Sequence, residues 1–280
     1  MRIQLEPARG PLPPEWASNG CFETMRAYGG TIFRLPQHME RLKGSAVFLG
    51  TGLPGVAGLI RHLNGALRRS GLHEAVVRVA LIPRRRGPAV PHIVVRPAIQ
   101  PTAAMYRRGA AIAVIPARKS PVSGINPQAK YSARLGSVLA VADAQLRGVD
   151  EALFINELGS VTESTASNFG IVKSGTVLTP PCWLGLLPGI TREVLFEIGE
   201  RLRIPVRESP LTRHDCYNAD EAFLTSTLKE VLGVIRIDRR LIGSGRPGPV
   251  TLKLRRAFQE LVREELRLGS QRHTVTGSHV

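Results

Sequence analysis

The 280-residue sequence predicts an α+β fold in two domains, and three observations carry that prediction. Short β-branched runs alternate with stretches of helical periodicity, so both element types belong to one chain. A Gly-Gly pair between two such runs marks a hairpin, which favours mixed α and β over a doubly wound parallel sheet. The segment Pro116–Gln128 holds three prolines and no apolar periodicity, the composition of a connector. The domains are therefore expected at residues 1–116 and 129–280, with 117–128 as the linker.

Each element has its own local reason. Phe22–Ala27 and Thr31–Phe33 flank Tyr28-Gly29-Gly30 and form the hairpin. A helix is expected from Pro36, with His38, Arg41 and Leu42 in its early turns. A second spans Val56–Arg69 and stops at Ser70-Gly71. Ala75–Ile82 and His92–Pro97 are β-branched runs joined by a basic loop, and Ala110–Ile115 is a buried strand. After the linker, Ser132–Arg147 reads as a helix closed by Gly148. Strands are expected at Glu151–Asn156, Ser160–Glu163, Asn168–Lys173 and Thr176–Thr179. A helix runs from Pro188-Gly189 to about Leu202, and Glu221–Thr225 is a strand ending in hydroxyl side chains. The last helix covers Val250–Leu266, and the polar final dozen residues are expected to fray.

Composition narrows the function. Apolar content of 43% with 21% charged residues is that of a globular protein, and with aromatics at 5% the core falls to Val, Leu, Ile and Ala. No apolar run approaches the roughly 18–20 residues that cross a bilayer, so no membrane partner is expected. Met1–Trp16 carries proline and charge where an export signal would be hydrophobic. Cys21, Cys182 and Cys216 are odd in number and lack a CxxC spacing. That argues against a disulfide framework and a metal site, and it fits a reducing cytoplasm. The net charge of +16 would suit nucleic acid, but the basic residues are spread along the whole chain. Their clusters, such as Arg84–Arg86 and Lys253–Arg256, are short and lack an aromatic stacking platform, so no nucleic-acid partner is expected.

Chemistry-bearing residues gather after the linker. Lys130 lies just before a predicted helix, where its amine would project toward a ligand. Val161–Phe169 places one carboxylate, Glu163, among small residues that would let a flat ring approach the backbone. Leu187–Arg192 is a Gly turn leading into a helix N-terminus, whose backbone N–H groups suit an anion. Thr225-Ser226-Thr227 ends a strand with three hydroxyls, suited to a phosphate or to a turn. Each signal alone is weak.

Together, in this order and spacing, they resemble the class IV pyridoxal-phosphate family. That family includes branched-chain aminotransferases, D-amino-acid aminotransferases and 4-amino-4-deoxychorismate lyases. The matching segments are Phe22-Glu23-Thr24-Met25-Arg26, His38–Leu42, Lys130 with Arg134-Leu135-Gly136, Val161–Asn168, Leu187–Arg192 and Thr225-Ser226-Thr227 with Glu230. The resemblance covers about Gly20 to Leu261. It implies pyridoxal 5′-phosphate as cofactor, a small N-terminal α/β domain, a larger C-terminal domain with a barrel-like sheet, and a homodimer acting on a small amino substrate. It also implies roles. Lys130 resembles the lysine that holds the cofactor as an internal aldimine and then moves the substrate proton. Glu163 resembles the carboxylate that keeps the pyridine nitrogen protonated. Arg41 resembles the phosphate-binding arginine, with Ile190, Thr191, Ser226 and Thr227 completing the phosphate cup.

Two departures stand out. Pro11–Asn19 is short and proline-rich where the family has a strand and an Asp-Arg-Gly turn, and Lys229 is unexpected beside the hydroxyls. Two reactions remain open on this plan. Thr24 resembles the lyase-type threonine near a leaving group, and Arg134, four residues after Lys130, would add charge for a substrate with two carboxylates. With Phe22 beside the substrate, these features lean toward 4-amino-4-deoxychorismate lyase, which releases pyruvate and 4-aminobenzoate. The alternative is transamination of a branched-chain or D-amino acid. A cofactor-free binding protein would need Lys130, Glu163 and Arg41 to be idle together.

Overall fold

A computed structural model of the chain describes residues 2–5, 20–115, 127–131 and 135–275. The chain divides into two compact units. One comprises Met1–Ile99, Ala129–Ala133 and Gln259–Val280; the other comprises Gln100–Gln128 and Arg134–Phe258.

The first unit is a sheet covered on one face by helices. In chain order it holds β1 (Arg2–Leu5), β2 (Cys21–Tyr28), β3 (Thr31–Ile32), α1 (Leu35–Phe48), α2 (Val56–Ser70), β4 (Ala75–Ile82) and β5 (Val90–Pro97). The strand order is β1-β5-β4-β2-β3, antiparallel except where β1 lies parallel to β5. The β2–β3 turn uses Gly29 and Gly30 at φ 54° and 80°, a backbone that side chains with a Cβ resist. Alternation along the strands sends Cys21, Met25, Val77, Val79, Leu81, Ile93 and Val95 into one core with Met39 and Leu42 of α1 and Leu59 and Leu63 of α2. The other face carries Phe22 against Ala80 and Val94. A first strand therefore exists, although Pro11–Asn19 lies outside the described residues.

The second unit is built on a closed barrel. It holds α3 (Ala103–Arg108), β6 (Ala110–Val114), α4 (Leu135–Leu146), β7 (Glu151–Ile155), β8 (Val161–Ser164), β9 (Asn168–Lys173) and β10 (Thr176–Thr179). There follow α5 (Ile190–Leu202), β11 (Val206–Glu208), α6 (Arg213–Tyr217), β12 (Glu221–Ser226), β13 (Glu230–Ile237), β14 (Arg240–Leu241) and the start of α7 (Pro249–Val275). Strands β9-β12-β13-β6-β7-β8 lie side by side, and β8 pairs back onto β9, which closes the ring. Ile112, Leu153, Val161, Phe169, Leu224 and Leu232 share its hydrophobic core.

The division of the chain differs from a break at residue 116 for reasons of pairing. Strand β6 belongs to the barrel because it pairs with both β13 and β7. Residues 129–133 group with the first unit, where Phe22 N–H donates to the Lys130 carbonyl (3.0 Å) and Cys21 bridges to Tyr131. The linker itself lies largely outside the described residues. Helix α7 continues to Val275, past the expected Leu266, anchored by buried Leu254, Phe258, Leu261 and Val262 at helical spacing. The three cysteines are free, and burial pushes the Cys21 thiol up to about 11 and the Cys216 thiol up to about 12. Among the described residues no helix is long and apolar enough to cross a membrane. No group of His, Cys, Asp or Glu among them is arranged to hold a metal ion.

Candidate active site

In the first unit the candidate site residues Phe22, Thr24 and Arg41 hang on β2 and α1, and Lys130 on the segment that pairs with the start of β2. Glu23 points to the helix-covered face of β2 and is fully buried. A bare carboxylate there would be prohibitive, so its partners decide the arrangement. Arg41 donates from Nε to Oε1 (2.7 Å) and from Nη2 to Oε2 (2.8 Å), and His38 Nδ1 lies 2.8 Å from Oε2. His38 and Arg41 sit three residues apart on α1, so one helical face presents both to the carboxylate. Burial alone would raise the Glu23 pKa, but the Arg41 charge and the bonds from Arg41 and His38 hold it far below the usual carboxylate range. Burial lowers the His38 pKa, partly opposed by Glu23.

Glu23→Gln should therefore destabilise the fold by about 3–5 kcal/mol, because it leaves a buried guanidinium without its counter-charge. The midpoint of urea unfolding at neutral pH reads this directly. In the wild type, the unfolded chain takes up protons at the ordinary values of 6.5 for His38 and 4.5 for Glu23, before the folded chain does. Stability is thus lost through His38 as the pH falls below 6.5 and through Glu23 as it falls below 4.5, and the variant should lose less below 4.5.

Lys130 is fixed through its backbone. Its N–H donates to Ser45 Oγ (3.0 Å), and its carbonyl accepts from Phe22 N–H. Its Nζ lies 4.8 Å from the centre of the Phe22 ring, and the Arg78 guanidinium stacks on the same ring at 4.2 Å. Thr24 stands opposite Arg78 in the β2–β4 register, on the same face as Phe22. Arg134 lies outside the described residues.

In the second unit, Glu163 is the buried carboxylate of β8, just before a tight turn and opposite Asn168 of β9. Its Oε2 accepts from Asn168 Nδ2 (3.1 Å) and Leu187 N–H (2.9 Å), and Asn168 Nδ2 also donates to the Leu187 carbonyl (2.8 Å). Gly189 follows because nothing larger fits. A Cβ there would lie 1.9 Å from Asn168 Oδ1. Gly189 opens α5 with no side-chain cap, so the first-turn N–H groups at Ile190 and Thr191 are presented as anion donors. Arg192 anchors this helix through Thr179 Oγ1 (3.3 Å), the Pro180 carbonyl (2.9 Å) and Glu208. Ser226 ends β12 and Thr227 opens the connection to β13, both half-buried.

Within the second unit, these donors fit a phosphorylated ring with a basic nitrogen. An uncapped helix opening on a glycine and two hydroxyls suit the phosphate, and an oriented buried carboxylate suits the nitrogen. In the first unit, the Lys130 amine suits a carbonyl.

The profile of the amino-transferase class IV family matches residues 20–237. The chain belongs to that family. A Methanocaldococcus jannaschii protein provisionally named a branched-chain-amino-acid aminotransferase is 36% identical over 253 residues, covering 87% of each chain. The branched-chain-amino-acid aminotransferase of Pseudomonas aeruginosa is 32% identical over 259 residues, covering 87% of this chain and 84% of its own. The crystal structure of the T.th. branched-chain amino acid aminotransferase with pyridoxamine 5′-phosphate superposes at a TM-score of 0.82 and 30% identity, over 86% of this chain and 84% of that one. This class IV aminotransferase is thus a pyridoxal-phosphate enzyme with the expected two-sheet, barrel-containing fold. The similarities support the transaminase alternative over the expected lyase.

Glu23, Asn168 and Arg78, which contact candidate site residues, were not expected from the sequence. Arg78 carried a usable signal: it is the single charge inside the strand Ala75–Ile82. Asn168 and Glu23 lay within recognised motifs but showed their partners only in the folded chain.

Proposed function

We propose that this class IV aminotransferase moves the amino group of a branched-chain amino acid to a 2-oxo acid. The Phe22 ring, shared by Lys130 Nζ and the Arg78 guanidinium, carries the reading. Beside the candidate reactive amine it offers an apolar wall, with Ala80 and Val94, and one guanidinium for a carboxylate. That combination suits a branched hydrocarbon side chain and a carboxylate-bearing partner. The names of the relatives support the same branch.

When bound, pyridoxal phosphate supplies a carbonyl carbon and an electron-withdrawing ring. Lys130 holds it through Nζ and then carries the proton from the substrate Cα. Glu163, its orientation set by Asn168 and Leu187 N–H, keeps the ring nitrogen protonated. Arg41, the N–H groups of Ile190 and Thr191, and the hydroxyls of Ser226 and Thr227 bind the phosphate. Phe22 and Thr24 line the substrate side.

A homodimer belongs to the same proposal. Helix α4 exposes Val138, Leu139 and Leu146, an apolar surface that a second copy would cover. Light scattering at the mass of a single chain would count against it. We place the enzyme in the cytoplasm, on its three free cysteines.

The test is an absorbance spectrum of the cofactor-loaded protein with L-leucine, L-glutamate, D-alanine or aminodeoxychorismate in separate cuvettes. L-Leucine and L-glutamate should each shift the visible band and yield their 2-oxo acids. Pyruvate and 4-aminobenzoate formed from aminodeoxychorismate, with no response to L-leucine, would overturn the reading in favour of the lyase. A response to D-alanine alone would do so in favour of a D-amino-acid branch.

A further inference from the structure

We propose that Lys229 is a positioning residue that ties the Ser226–Thr227 turn to the turn carrying Glu163, through the buried carboxylate of Glu151. The inference rests on the assignment of Ser226, Thr227 and Glu163 to the cofactor.

The connection between β12 and β13 is tight. Ser226 pairs with Glu230 as the last rung, which leaves Thr227, Leu228 and Lys229 between the strands. Within it, Lys229 N–H donates to Ser226 Oγ (3.2 Å), and Glu230 takes a left-handed backbone at φ 52°. The Lys229 carbonyl accepts from Tyr106 Oη (3.1 Å). So the main chain of Lys229 fixes the shape of the turn from inside the barrel unit.

Its side chain reaches further. Lys229 Nζ donates to Ser167 Oγ (3.2 Å) and forms an ion pair with Glu151 at the start of β7. Glu151 is 6% exposed, too buried for a carboxylate without compensation. The same carboxylate accepts from Ser164 Oγ and from Ser167 Oγ (3.3 Å). Ser164 and Ser167 are the two ends of the turn between β8 and β9, closed by Ser167 N–H donating to Ser164 Oγ (3.1 Å). The residues flanking that turn are Glu163 and Asn168, the carboxylate and the amide that orients it.

One ammonium therefore links two turns that hold opposite ends of a pyridoxal phosphate: its phosphate and its ring nitrogen. A mere counter-charge for Glu151 and a positioning role make different predictions. If only charge balance mattered, removing both charges together would repair whatever the loss of Lys229 damages. If Lys229 sets the spacing of the turns, it would not.

Pyridoxal phosphate affinity, measured by absorbance titration of the apo-protein, and the ³¹P chemical shift of the bound cofactor are the readouts. Lys229→Met should weaken binding about tenfold or more and move the phosphorus signal. In the double variant with Glu151→Gln, thermal stability should recover while affinity and the phosphorus shift stay altered. Recovery of both by the double variant would overturn the proposal, as would a single variant within twofold of wild type in affinity. Should Lys229→Met fail to fold, Ser167→Ala and Lys229→Arg serve instead. Ser167→Ala should weaken binding several-fold and Lys229→Arg should not, and wild-type affinity in Ser167→Ala would overturn it. A wild-type protein that binds no pyridoxal phosphate would sink the cofactor assignment itself, whereas one that binds it but prefers other substrates leaves this inference standing.

Discussion

Lys130→Ala protein should lose about 10⁴-fold or more of its transamination rate, because general acid–base transfer alone contributes about 10²–10⁴-fold and the covalent hold on the cofactor goes with it. It should also be colourless after dialysis, where the wild type stays yellow. The fold should survive, for a physical reason. What anchors residue 130 is its backbone: its N–H to Ser45 Oγ at 3.0 Å and its carbonyl to Phe22 N–H at 3.0 Å. Alanine keeps both bonds, and the half-buried amine it deletes touches the Phe22 ring without filling the core. Circular dichroism and the melting temperature should therefore match the wild type while single-turnover rates collapse. A small primary amine added to the variant should restore part of the rate, since it replaces the missing proton carrier. A variant that remains yellow and turns over within tenfold of wild type would remove Lys130 from the chemistry.

Where the sequence could be read, it was read through local signals. The strand Asn168–Lys173, the strand Thr176–Thr179 and the helix ending at Leu202 fell where β-branched runs and a Pro-Gly opening placed them. Strand β13 carries an apolar run as clear as these, Val231–Ile235, but the run does not state its neighbours. Its parallel pairing with β6, and with it the closure of the barrel, is not legible in the sequence, since pairing between distant strands leaves no trace in periodicity. The division into compact units follows the same kind of pairing and not the linker. Lys130 and Tyr131 follow a linker in sequence but join the β2 edge by backbone pairing with Phe22 and Cys21. Lys130, Glu163 and Arg41 were legible as members of an ordered motif set. Their orienting partners were not, because Ser45, Asn168 and Glu23 act by distance and burial, which the order of residues does not state.

Glu163→Gln should lower the turnover number by about 10²–10³-fold, the scale on which a preorganised charge stabilises a transition state. The amide keeps the shape of the carboxylate and can still accept from Asn168 Nδ2 and Leu187 N–H, so the surrounding turn should hold. What it loses is the negative charge proposed to keep the ring nitrogen protonated, and only the charge-dependent step should suffer. Pyridoxal phosphate affinity should stay within a few-fold of wild type, because the phosphate ligands are untouched. Glu163→Ala separates orientation from charge. Leu187 N–H, deep in the unit, then loses its acceptor, and the variant should also lose about 1–3 kcal/mol of stability, read by thermal unfolding with and without cofactor. If Glu163→Gln turned over like the wild type while Glu163→Ala was merely unstable, Glu163 would be a structural carboxylate that holds Asn168 and Leu187 in place, and the acid facing the ring nitrogen would have to be sought elsewhere.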